Sequence, residues 1–507
     1  ADRLLHGLRG LWNAPMVFPY QDSLAYSEHL LGIALFIAPI QWLTNNPLIA
    51  YNVAFLGSFV LAGAGMYLLA TYLTGSRIAG IVGAIAFAFL PYRAEHVSHL
   101  QVLMYGWMPV ALWAFHRYFV TGKQLALAAF GVTFLLQGLS NGYFFYFFAV
   151  AVIVVGSVEL MGRVRSRPAI VIELFFALLI MLAILTPILT AYLEAREAHS
   201  LYRSREEILT YSADAIAYLS ASNRLAMWGG VLSQGEAEGS LFPGIGLLIL
   251  ASFGLLSAFV SGPSNRRGGT CFRRLGLAYG LVAFLGFILS LGPEPTVGGT
   301  TLTENGPYNW LLGIIPGLEG LRVPARFSII VFLGLTVLAA IGSKRLLDIL
   351  PTRLGISLCC VFSACFVLEG YYPVEMKAFS NEPLTSERAA YEWLEAAPSG
   401  GAVVLPLTPR EPTLGTARYV YDTLKHHHPI VNGYSGFTPT IFRELLASGA
   451  SLNFDNYGDV LQGFRALGVR YVVVSLNRFR NLDNRDKTLA AIRRRPDQLA
   501  GEHVLGA

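Results

Sequence analysis

Residues 47–73, PLIAYNVAFLGSFVLAGAGMYLLATYL, contain no charged side chain. A helix of about 20 apolar residues is long enough to cross the hydrocarbon of a bilayer. In that solvent every backbone N–H and C=O has to be satisfied within the protein, which leaves helices and closed barrels as the spanning folds. Unbroken apolarity over this length, with no two-residue alternation, selects the helix. Ala62, Gly63, Ala64 and Gly65 supply the small surfaces by which helices approach closely in lipid.

The same pattern recurs along the chain and places ten spans, at 47–72, 76–92, 102–118, 124–139, 142–161, 168–193, 243–261, 275–291, 325–343 and 354–371. Composition agrees: mean hydropathy is +0.52, and 14% of residues are charged against roughly 25% in soluble proteins. The segment 30–44 is short and interrupted by Pro39, and reads as a re-entrant or surface helix.

Charge placement orients the spans. Arg77, Arg117, Lys123, Arg163, Arg165, Arg167, Arg266, Arg267, Arg273, Arg274, Lys344, Arg345 and Arg353 fall in one alternate set of short connections, which the positive-inside rule makes cytoplasmic. The other set is 93–101, the Ser140–Asn141 corner, 194–242, 292–324 and everything after 371; it faces outward. The net charge of +5 reflects these loops, so nucleic acid is not an expected partner. None of the four cysteines lies in an outward segment, so no external disulfide framework is expected.

After residue 371 the composition changes. GGAVVLPL and VRYVVVS read as strands, while SERAAYEWLEAA, PTIFRELLASG and YGDVLQGFRALG read as helices. The expected fold is mainly α: a polytopic helical membrane domain at 47–371, preceded by an outer loop at 1–46 and followed by a small extracytoplasmic α/β domain at 372–507.

Polar residues concentrate in the outward loops. PYQDSLAYSEH carries Asp22, Glu28 and His29, and PYRAEHVSHLQ carries Glu95, His96, His99 and Gln101. Acid and imidazole groups beside a low-dielectric surface are candidate general bases. His96 and His99, three apart, are a weak candidate pair of metal ligands. Arg322 and Arg326 in GLEGLRVPARFSII oppose the charge bias of the other connections. Spaced four apart, they read as one helix face able to bind an anion, and an isoprenoid phosphate would lie at that depth. Arg203 joins them from the loop 194–242. In HHHPIVNGYSGFTP, Asn432 and Tyr434 sit in a turn-prone stretch bearing an aromatic ring, as sugar-binding loops do. Against these readings stand solvated, helix-capping loops and arginines that snorkel to lipid phosphate. No P-loop, G-x-G-x-x-G, G-x-S-x-G or H-E-x-x-H occurs, which argues against nucleotide-driven chemistry.

LAYSEHLLG (24–32), YLLATYLTGSRIAGIVGAIAFAFLPYR (67–93) with HLQ (99–101), RVPARF (322–327) and NGYSGF (432–437) before LGVRYVVV together resemble the GT-C superfamily of integral-membrane glycosyltransferases, and its bacterial members in particular. The resemblance implies a polyprenyl-phosphate-linked sugar as donor, a glycan, lipid or protein acceptor, and transfer with inversion at the outer leaflet of a bacterial cytoplasmic (inner) membrane. It implies a catalytic acid in the first outer loop, for which Asp22 and Glu28 are the matches, and a second acidic motif, which falls on Glu95. The family's first membrane helix is absent before Asp22, so a fragment of a longer protein is expected, with the catalytic acid either upstream or at Asp22 or Glu28.

The expected catalytic residues are then Asp22 or Glu28, as the general base that deprotonates the acceptor hydroxyl, and Glu95, which with His96 or His99 would orient the acceptor or hold a metal near the phosphate. Arg203, Arg322 and Arg326 would lie on the donor phosphate, and His29, Gln101, Asn432 and Tyr434 toward acceptor or sugar. His96 and His99 would hold a divalent ion, Mg or Mn, if one is used. The rival expectation is non-enzymatic, a transporter or flippase of lipid-linked glycans or a membrane scaffold. Transport is disfavoured because the spans carry few ionisable residues near their centres.

Overall fold

Asn45 and Asn46 separate two helices, α1 (Leu31–Thr44) and α2 (Pro47–Thr74). The Asn46 side chain accepts hydrogen bonds from the amides of Leu48 and Ile49, Pro47 occupies the first helical position, and Gly75 closes the helix at φ 67°. These are the usual start and stop signals of a helix. A computed structural model describes residues 10–161, 163–233, 238–260, 272–374, 379, 385–407, 414–437, 457–479 and 482–494.

Beyond α2 follow α3 (Arg77–Ala88), α4 (Trp107–Thr121), α5 (Gln124–Ser140), α6 (Gly142–Met161), α7 (Ala169–His199), α8 (Ile245–Val260), α9 (Phe272–Ser290), α10 (Ser328–Ile349) and α11 (Thr352–Glu369). Among the described residues seven helices are long and apolar enough to cross a membrane, namely α2, α6, α7, α9 and α11 with the stretches Arg77–Ala94 and Pro324–Ile349 that contain α3 and α10. This fits a multi-pass membrane protein of mainly helical fold.

Each of the ten expected spans contains a helix, but α4, α5 and α8 reach only 15, 17 and 16 residues. For α4 the cause is visible. After the short helix Leu100–Leu103 the chain leaves the helical region at Met104 (φ −89°, ψ 55°) and returns to it at Gly106, whose backbone lies so close to α2 that a Cβ there would stand 2.6 Å from Ala62 N. The helix begins only at Trp107.

Two compact units divide the described chain. One comprises the described parts of Leu30–Leu185 and Tyr202–Met376. At its heart α10 packs against α3, α8 and α9, and 94% of its apolar window is buried, against 11% for α7. Small residues permit the closeness: a Cβ on Gly254 of α8 would meet Leu338 O at 1.9 Å, and one on Gly342 of α10 would meet Leu250 O at 2.4 Å. Helices α3 and α10 run antiparallel, with Gly83 against Ala340 at one level and Tyr92 against Phe332 at another. Between α9 and α10 a short hairpin pairs β1 (Thr296–Val297) with β2 (Thr300–Thr301), and Asp214 accepts the amides of Gly298 and Gly299 in its turn.

The second unit gathers the described parts of Ala1–His29, Thr186–Leu201 and Lys377–Ala507. Two parallel strands, β3 (Gly401–Leu405) and β4 (Val469–Val474), pair along their length. Around them lie α12 (Thr385–Ala396), α13 (Leu414–His426), α14 (Tyr457–Ala466) and α15 (Leu482–Arg493). Residues 15–18 run beside 430–432, with Phe18 N donating to Ile430 O at 2.9 Å and Ile430 N to Pro15 O at 3.2 Å. Val17 and Tyr26 enter one apolar cluster with Val403, Leu405, Val431 and Phe464. The helix read from PTIFRELLASG lies outside the described residues.

Candidate functional site

Pro91 ends α3 by opening a 3-10 turn, Pro91–Ala94, since it can neither donate to the helix nor admit a helical residue before it. The turn sends the polar residues after it in different directions. Arg93 is fully buried; it donates to Tyr105 Oη at 2.9 Å and to Ser58 Oγ, and lies 3.6 Å over the Phe59 ring. It therefore pins the end of α3 to α2 and to the segment before α4. His96 is buried as well, its ring 4.2 Å from that of Tyr92. Glu95 and His99 are half-buried.

A carboxylate from the loop between α7 and α8 meets this turn. Glu238 accepts from Arg326 Nε at 3.3 Å and from Arg326 Nη2 at 2.5 Å, and its Oε2 stands 3.8 Å from His96 Nε2. The side chains of Arg326 and Glu238 are 7% and 13% exposed, so this is a buried ion pair. Burial alone would raise the Glu238 carboxyl, but Arg326, helped by His96, holds it down to about 2. Burial lowers His96 to about 3 despite the carboxylate beside it, so the imidazole is neutral and its contact with Glu238 is not an ion pair at neutral pH.

A second charged group adjoins the first. In the short helix Arg205–Thr210, capped by Ser204, Glu207 pairs with Arg203 at 2.8 Å and lies 3.6 Å from Arg322. Arg322 also lies 5.2 Å over the Tyr211 ring, and its amide donates to Tyr143 Oη. Burial lowers Arg203, with Glu207 opposing. His99 feels both groups: burial lowers it, Arg326 and Arg322 add to that, and Glu238 and Glu95 oppose it. Three guanidiniums, three carboxylates and two imidazoles thus share one region of the helical unit.

Several expectations change. Arg322 and Arg326 do not share an α-helical face, because Pro324 starts a 3-10 turn between them; Arg322 is 36% exposed while Arg326 is committed to Glu238. Asn432 is not available to a sugar: it is buried, and its amide accepts from Val404 N at 2.8 Å and donates to Val404 O at 2.7 Å. It substitutes for a neighbouring strand on β3. Tyr434, by contrast, is 53% exposed. Gln101 lies half-buried in the short helix Leu100–Leu103. The His96 and His99 rings stand 6.0 Å apart, and among the described residues no three His, Cys, Asp or Glu side chains converge as metal ligands.

Asp22, Glu28 and His29 belong to the other unit, with Asn432 and Tyr434. Asp22 precedes the 3-10 turn Ser23–Tyr26 at φ 56°, its amide held by Asn13 Oδ1. Glu28 lies beside Tyr192. His29 packs on Trp12 and Tyr192, each 5.9 Å away, and burial lowers it to about 4.

Sequence reasoning missed Glu238, Glu207 and Tyr92. Glu238 sits among small residues in QGEAEGS, with no periodicity to assign it a face, and its only signal was an acid shortly before an apolar segment. A further buried network was also missed. His116 meets Glu159 at 3.0 Å and Tyr279 Oη at 2.8 Å, and Arg163 pairs with the same carboxylate. His116 lies in the second half of α4, Glu159 in the last turn of α6 and Tyr279 near the middle of α9.

No curated protein matches the chain. A family described as "Domain of unknown function (DUF6311)" matches residues 11–366, a stretch that holds every described residue of the charged region. With that match covering more than half of its length, the chain belongs to the DUF6311 family.

Proposed function

We propose that the protein is a membrane glycosyltransferase of the GT-C type, moving a sugar from a polyprenyl-phosphate donor to a glycan, lipid or protein acceptor at the outer face of a bacterial cytoplasmic membrane. The observation that carries this reading is the charged region around His99, where Arg203, Arg322 and Arg326 gather with Glu95, Glu207 and Glu238 at the ends of apolar helices. An anionic headgroup on an apolar tail fits such a place, because cations held in a low-dielectric setting bind phosphate strongly.

Roles follow from partners. Glu207 and Glu238 are engaged by arginines, whereas the Glu95 carboxylate makes no hydrogen bond or ion pair among the described residues, and the residue is half-buried. Glu95 is therefore the carboxylate left to deprotonate the acceptor hydroxyl, which then attacks the anomeric carbon as the bond to the phosphate oxygen breaks. Arg322 and Arg203 stabilise the charge that develops on the departing lipid phosphate. We read residues 372–507 as an extracytoplasmic α/β domain that meets the acceptor through surfaces such as the exposed Tyr434 ring.

The test is transfer in vesicles containing the full-length protein, with a labelled sugar supplied on polyprenyl phosphate or as a nucleotide sugar. Transfer from the lipid-linked donor above that of protein-free vesicles supports the proposal. Transfer from the nucleotide sugar alone, or from neither, refutes it.

A further inference from the structure

Glu238 answers Arg326 with its two oxygens, and hydroxyls close by are left without acceptors. Tyr92 Oη and Ser328 Oγ are buried and have no hydrogen-bond partner among the described residues, and the same is true of His96 Nδ1. Tyr92 holds its ring 4.2 Å from the His96 imidazole, whose Nε2 in turn stands 3.8 Å from Glu238. Ser328 opens α10 two residues after Arg326. Buried polar groups are hydrogen-bonded as a rule. Unpaired polar groups beside one buried ion pair mark a polar cluster that Glu238 does not satisfy.

The chemistry of the lining names a better occupant. A guanidinium needs an anion, and the two hydroxyls need acceptor oxygens that the Glu238 carboxylate, engaged by Arg326 Nε and Nη2, does not supply. A tetrahedral phosphate presents two oxygens to the arginine fork and further oxygens elsewhere. We propose that Glu238 is a resident stand-in for a phosphate: a phosphate ester displaces it from Arg326 and takes hydrogen bonds from the Tyr92 and Ser328 hydroxyls.

Two features favour the exchange. Glu238 holds φ 60°, a left-handed conformation uncommon for a side-chain-bearing residue, so the paired position carries a backbone cost. The freed carboxylate also has a second partner in reach, since its Oε2 already lies 3.8 Å from His96 Nε2. The exchange deepens the proposed function, resting on it only for which phosphate ester is natural; phosphate binding itself is measured without any transfer step.

The experiment is titration of the full-length protein in neutral-lipid nanodiscs with dodecyl phosphate and, separately, inorganic phosphate. Tyr92→Phe and Ser328→Ala, each in an otherwise unchanged chain, should weaken binding by about fivefold. Glu238→Gln should tighten it by about tenfold or more, and the double variant Glu238→Gln/Arg326→Gln should lose that gain. Binding of dodecyl phosphate alone identifies a lipid headgroup site, and binding of both probes a site for the phosphate group itself. Affinities unchanged in Tyr92→Phe and Ser328→Ala overturn the proposal even if Glu238→Gln does not fold. A Glu238→Gln protein that folds and binds no tighter overturns it as well.

Discussion

The Glu238 carboxylate grips the Arg326 guanidinium at Nε and Nη2, inside a region where both side chains are largely removed from solvent. Breaking such a pair from one side leaves a buried charge without its partner, which costs about 3–5 kcal/mol. Replacing both members with apolar groups avoids that cost. Arg326→Ala is thus expected to lower the thermal midpoint of the detergent-solubilised protein well below that of Arg326→Met/Glu238→Leu. Equal midpoints would mean that the pair is not buried as described.

Acid should weaken the same region. His96 has an ordinary value of 6.5 and a folded value of about 3, so the unfolded chain takes up its proton first as pH falls. The stability that His96 contributes when neutral is complete above pH 6.5 and declines toward pH 3. Glu238 is lowered from 4.5 to about 2; its contribution is complete above pH 4.5 and declines as pH falls from there toward about 2. Between neutrality and about pH 5, His96 therefore governs the trend. The midpoint of the wild-type protein should fall over that interval and that of His96→Phe should fall less; parallel declines would count against a buried neutral His96.

Glu369, buried at the end of α11, accepts from the amides of Ile245 at 2.7 Å and Gly246 at 3.1 Å, and so caps the start of α8 from another helix. Leaving those amides unsatisfied costs about 1–3 kcal/mol. Glu369→Ala should lower the midpoint, and Glu369→Gln, which keeps an acceptor, should recover a good part of the loss.

Much of the helical unit was legible because lipid-spanning helices announce themselves by length and apolarity, and because Asn46–Pro47 and Gly75 mark ends through local chemistry. The break before α4 was not: the chain leaves the helix at Met104, beside a close approach of Gly106 to Ala62, two residues far apart in sequence. The same limit applied to the site. PYRAEH and RVPARF stood out as polar interruptions, yet their central link is Glu238, which no spacing relates to either. Asn432 was misread because a turn-prone sequence says nothing about which strand edge its amide completes.

The crossing of α8 and α10 offers a packing test. A methyl group added at Gly254 would stand 1.9 Å from Leu338 O, so the helices have to separate, and overpacking of this kind costs about 1–3 kcal/mol. Gly254→Ala should lower the midpoint and Gly57→Ala, whose Cβ would meet nothing within 4 Å, should not. Similar midpoints for the two would show that the helices do not pack this closely.

The most direct measurement is the rate at which the full-length protein in vesicles releases polyprenyl phosphate from its sugar-bearing form, with wild type compared to Glu95→Gln. General-base catalysis is worth about 10²–10⁴-fold, so Glu95→Gln should release the lipid phosphate at least about a hundredfold more slowly while binding dodecyl phosphate as wild type does. Equal rates for the two proteins would contradict the account.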